Sequence, residues 1–94
     1  MEDQNKQKYV VVNEHDGGGV FCYGIYNDYD TALGVIMKSI RDFMQSYTDD
    51  GDEFRYTLPY RMEGDGGDAI AVTYKAAGWG NAKKDYYYVL FTED

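Results

Sequence analysis

Cys22 and His15, the chain's one cysteine and one histidine, are the first residues whose types could carry chemistry, as a thiolate and the base that generates it. If the glycine run after His15 closes a hairpin around Gly17 and Gly18, His15 pairs opposite Val20 and shares a sheet face with Cys22, diagonally at about 7 Å. A nucleophile also needs an oxyanion hole and a third residue to orient its base, and nothing in the sequence supplies either. Within the apolar run VFCYGIY, Cys22 reads instead as a small buried hydrophobe. No catalytic residue is expected, and the chain reads as a non-enzyme.

Carboxylates form the next constellation, with Asp28 near Asp30, Asp49 and Asp50 near Asp52, and Asp65 near Asp68. Acid/base work requires a pocket that desolvates one member of such a pair, and these sit in glycine-rich, solvated loops. Calcium would suit hard oxygen ligands, yet no loop supplies the Asp series, the central Gly and the late Glu of an EF-hand together. Gly17-Gly18-Gly19 and Gly64, Gly66 and Gly67 resemble phosphate-cradling loops only in glycine content, since they join strands and carry Asp16, Asp65 and Asp68. Neither a metal site nor a cofactor is expected. The most unusual local feature is Ala77-Gly78-Trp79-Gly80-Asn81, a lone tryptophan flanked by glycines. It is read as an interface residue or as a plug for the end of the core. Lys83 and Lys84 add a small basic spot beside it.

These residues need a scaffold, and the hydrophobic pattern predicts one. Tyr9 to Glu14 and Val20 to Tyr26 are rich in β-branched and aromatic residues and read as a hairpin across His15 to Gly19. Asn27 to Thr31 offers several helix N-caps, and Leu33, Ile36, Met37, Ile40, Phe43, Met44 and Tyr47 then recur at steps of three and four. Asp49-Asp50-Gly51-Asp52 ends that helix, with Gly51 in the left-handed C-terminal position. Phe54, Tyr56, Leu58, Tyr60 and Met62 alternate with more polar residues as a strand whose Pro59 belongs at a sheet edge or bulge. Ala69 to Lys75 and Asp85 to Thr92 complete the order ββαβββ, an α+β fold with one amphipathic helix packed on a five-stranded, mainly antiparallel sheet. One helix covers one face only. The other face, with Tyr86 and Tyr88 among its candidates, must meet water or a partner.

All 94 residues read as a single domain, its polar lead-in Met1 to Lys8 frayed, and eleven tyrosines supply large core side chains. The polar opening and the single cysteine argue against secretion, and no apolar run approaches the roughly 20 residues of a membrane span. A cytoplasmic location is expected. The formal charge of −8, seventeen acidic residues against nine basic, disfavours direct binding of nucleic acid and favours a basic protein surface.

In size, acidity and lack of catalytic motifs, and in the clusters Asp49-Asp50-Gly51-Asp52-Glu53 and Glu63-Gly64-Asp65-Gly66-Gly67-Asp68, the chain resembles the small acidic proteins that phages use against host defences, the anti-CRISPR type among them. The resemblance implies a non-catalytic inhibitor or adaptor that engages a nucleic-acid-handling protein, with carboxylates standing in for phosphates. The contact residues expected from the chain itself are Asp49, Asp50, Asp52, Glu53, Glu63, Asp65, Asp68, Trp79, Tyr86 and Tyr88. The rival reading is a small-ligand binder, for a nucleotide or metabolite, with a pocket between helix and sheet or in the glycine-rich loops and lined by tyrosine hydroxyls. A homodimer through the aromatic face is compatible with either.

Overall fold

Apolar periodicity becomes one helix and six strands in the computed structural model, which describes residues 7–92. In chain order these are β1 (Lys8–Glu14), β2 (Val20–Tyr26), α1 (Tyr29–Met44), β3 (Glu53–Tyr56), β4 (Tyr60–Arg61), β5 (Gly67–Lys75) and β6 (Lys83–Thr92). The expected α+β class and the ββαβββ order hold. Of the polar lead-in, residues 1–6 lie outside the described residues, and Lys8 already pairs with Thr92. Among the described residues no helix is long and apolar enough to cross a membrane.

The helix begins where Asp28 accepts the Thr31 amide at 2.9 Å, and Asp30 in the first turn complements the dipole. Ala32, Ile36 and Ile40, four residues apart, are fully buried against the sheet. Burying each isoleucine contributes about 1.5–3 kcal/mol. The helix stops earlier than its apolar pattern suggests, with Gln45 as its C-cap. Gly51 therefore does not cap it; its φ of +93° serves the separate turn that leads into β3. Tyr47 still packs on the core, carried there by a short turn in which its amide reaches the Met44 carbonyl.

All strand pairs are antiparallel, in the order β2-β1-β6-β5-β3, and β4 also pairs with β5. The single strand expected over Phe54 to Met62 is broken into β3 and β4 by Thr57 to Pro59, so the sheet has six strands rather than five. Pro59 sits at this broken outer edge, where its missing N–H removes no ladder bond. The opposite edge is the unbroken seven-residue β2. Its ladder with β1 shifts register between Val11 and Val12, a bulge that leaves Tyr23 unpaired.

The β1–β2 hairpin closes one residue away from the expected register. Glu14 lies opposite Val20, and the turn is made by the His15 amide to the Gly19 carbonyl at 2.6 Å and the Gly18 amide to the His15 carbonyl at 2.9 Å. A one-residue shift exchanges the faces. Cys22 consequently lies opposite Val12, exposed rather than buried, while His15 reaches the helix side of the sheet. The expected sharing of a face by His15 and Cys22 is thus incorrect.

The core holds Val11, Ile70, Val72, Tyr87 and Val89 beneath the helix. At the helix C-terminal end, Phe43, Tyr47, Phe54, Tyr74 and Trp79 meet mostly edge to face. At the other end Tyr9, Tyr29 and Phe91 do the same. Where β5 begins, Gly67 lies so close to β6 that an added Cβ would stand 2.2 Å from the Val89 carbonyl oxygen. Gly67→Ala should therefore lower stability by about 1–3 kcal/mol. Gly66→Ala, with nothing within 4 Å of its Cβ, should shift it by less than about 0.5 kcal/mol. Urea denaturation of both variants checks the contrast.

Candidate interaction surface

Directly opposed residues share a face, so the register fixes which side chains the helix leaves uncovered. Val10 lies between Ile25 and Leu90, Val12 between Cys22 and Tyr88, and Glu14 between Val20 and Tyr86. Ala69 and Ala71 continue the surface opposite Tyr88 and Tyr86, and Tyr60 follows opposite Ala69. Among the described residues no element packs over this side. Val20 is 66% and Ile25 65% exposed, and Leu58, in the β3–β4 connection, is 83% exposed. Single exposed apolar residues are ordinary, but a contiguous sheet of them marks a contact surface.

Tyr86 and Tyr88 sit near the middle of this face with their rings stacked, centroids 6.1 Å apart at 14°. The Tyr88 hydroxyl donates to Glu14 at 2.7 Å. Partial burial, then that carboxylate, push the phenol well above its usual range and keep it neutral. A neutral, half-buried aromatic pair of this kind presents area to a partner with little rotamer entropy left to lose.

The acidic residues singled out from sequence divide into two kinds. Asp49, Asp50, Glu53 and Glu63 are exposed, and among the described residues none has a cation within ion-pair distance. Asp52 is internal bracing, accepting the Asp49 amide at 3.1 Å and the Ala77 amide at 2.8 Å and so tying the loop before β3 to the β5–β6 loop. Asp65 holds a positive φ of 59° in the β4–β5 turn and stands 4.0 Å from Arg61. Asp68 accepts from the Arg61 guanidinium at 2.6 Å and from the Tyr29 hydroxyl, joining the start of the helix to β4. The two acidic clusters flank opposite ends of β5, about 26 Å apart for a nine-residue strand. They do not merge into one row.

Trp79 is half-buried against Tyr47 and Tyr74, and the Lys83 ammonium lies 4.9 Å above its ring. It closes the aromatic end of the core. Sequence reasoning missed a group on the helix side of the sheet, where Asp85, 1% exposed, accepts from Tyr74 at 2.7 Å and the Asp16 amide at 3.0 Å and meets His15 Nδ1 at 2.9 Å. The signal was available. Asp85 keeps the period-two phase of Tyr87, Val89 and Phe91, so it had to face the core with them. Compared with protein-family models, curated proteins and solved structures, the chain matches none.

Two pH limbs follow from these contacts. Burial alone would raise the Asp68 carboxyl, but the hydrogen bonds from Tyr29 and Arg61 outweigh it and hold the group below its usual range. Its contribution is complete above the unfolded value near pH 4 and is lost as pH falls through the folded one. Burial, with Asp68 second, pushes Tyr29 up to about 12, and burial pushes Tyr87 up to about 12. These phenols stay protonated in the native state after the unfolded chain has begun to ionise, so stability should fall as pH climbs from about 10 to about 12. Urea midpoints against pH should show both limbs. Asp68→Asn should flatten the acid limb and Tyr29→Phe should soften the alkaline one.

Proposed function

We propose that this chain is a non-catalytic binding protein, an inhibitor or adaptor that docks its uncovered sheet face on a basic protein surface. The observation that carries the reading is the continuity of that face, which runs from Val20 and Ile25 on one edge strand through Tyr86 and Tyr88 to Tyr60 near the other. Its centre is apolar and aromatic, as the desolvated middle of a protein interface is. Asp49, Asp50 and Glu53 beyond one end of β5, and Glu63 beyond the other, supply rim carboxylates with no cation of their own among the described residues.

The charge of −8 then acts at long range. A negative field steers a basic partner toward contact and raises the association rate, while the face supplies lasting affinity. Surfaces that handle nucleic acid have the required charge, and blocking one would inhibit its owner, the counter-defence role that the sequence resembles. The separation of the acidic clusters puts the weight on the apolar face, with the carboxylates as rim and steering charge.

The test begins with affinity capture from cell extract at low salt and proceeds with the purified basic protein recovered. Val20→Arg with Ile25→Arg, at exposed positions, should weaken binding by more than about tenfold with the melting temperature almost unmoved. Asp49→Lys, Asp50→Lys and Glu53→Lys together should slow association and flatten its salt dependence. Affinity indifferent to the face substitutions would sink the proposal. So would a homodimer, seen by light scattering, that those substitutions split, because a second copy would then own the face.

A further inference from the structure

On the helix side, between α1 and the bulged strand β2, lies an open cavity of about 480 Å³. That is within the size range of small-molecule sites. Asn13, 2% exposed, lines it and gives one amide hydrogen to the Tyr86 carbonyl at 3.1 Å. Its Oδ1 and its second N–H have no partner among the described residues. Buried amides seldom go unsatisfied, and one that does so at a cavity wall points to a ligand.

The surroundings define that ligand. Phe21 stands exposed at the mouth, edge-on to Tyr23 with centroids 5.0 Å apart, and Phe43 lines the cavity from the helix. Tyr23, Ser39 and Tyr87 link their hydroxyls at 2.8 and 3.2 Å. His15 is fixed through Nδ1 by Asp85, which leaves Nε2 as the ring nitrogen able to engage something else. Lysine and arginine are absent from the lining, while Asp85 contributes a carboxylate to it. An anionic ligand is disfavoured.

We infer that this cavity binds a neutral, planar nitrogen heterocycle of the nucleobase class, as the free base or nucleoside and not the nucleotide. The oxygen and remaining N–H of Asn13 offer the cavity an acceptor and a donor, the two kinds of group with which an asparagine amide reads adenine. Phe21, Tyr23 and Phe43 supply aromatic faces and edges on which a flat ring packs. His15 Nε2 gives a further polar contact at the rim. The cavity lies across the sheet from the proposed docking face, so the two sites succeed or fail separately.

Titration of the full chain with adenosine, guanosine, cytidine and uridine, followed by heteronuclear NMR, tests the inference. Saturable shifts of the Asn13 side-chain amide are expected, with adenosine the strongest ligand and its 5′-monophosphate weaker by about tenfold. Phe21→Ala, at an exposed position, and Asn13→Leu should each weaken adenosine by at least about tenfold, whereas Tyr88→Phe on the other face should not change it. Phe21→Ala keeps the test decisive if Asn13→Leu fails to fold. Absence of saturable shifts with all four nucleosides overturns the inference, as does binding untouched by Phe21→Ala, or a monophosphate that binds more tightly than its nucleoside.

Discussion

A sixteen-residue helix, about 24 Å long, can shield one side of a sheet, and this chain has only one such helix among its described residues to set against six strands. The rest of the structure follows from that shortfall. The covered side takes the aliphatic residues and the edge-to-face tyrosines, phenylalanines and tryptophan. The uncovered side retains valines, an isoleucine and stacked tyrosines that water alone would not favour. Large aromatic side chains let so few residues close a core, because each ring fills the space of several smaller groups.

Much of this was legible in the sequence because it depends on parity and periodicity. The three- and four-residue spacing of Leu33, Ile36, Ile40 and Phe43 and the alternation along Asp85 to Thr92 specify a helix stripe and two strand faces whatever the tertiary details. The hairpin register was not legible, since a run of three glycines accommodates more than one closure, and the face of His15 depends on which is made. The split of the third strand was visible only as Pro59. Its consequence, two short pieces against β5, depended on where Thr57 bonds to Ala71.

Carboxylates show the same limit. From sequence, Asp49 to Glu53 and Glu63 to Asp68 read as two uniform clusters. In the fold, members of the same cluster do different work. Asp52 braces two loops and Asp68 joins helix to strand, whereas Asp50 and Glu63 are exposed and their carboxylates make no hydrogen bond or ion pair among the described residues. Asp28 and Asp85 are likewise consumed by the backbone and by buried partners. A large share of the acidity is therefore architecture, and what remains for recognition is smaller than the formal charge suggests. Composition reports a total. Only geometry separates a carboxylate already bonded from one still available.

The two borders of the sheet differ in a way that limits how copies could join. One border is cut by Pro59 into segments of four and two residues, too short and too interrupted to template another strand. The other, β2, offers seven residues in one strand, bent by the bulge at Tyr23. Strand-to-strand addition is therefore available on one side only. Two copies could meet β2 to β2 about a two-fold axis, and the joined sheet would then end at a proline-broken border on each flank. Such a pairing would use up both β2 edges and leave no long edge strand for a third copy to extend.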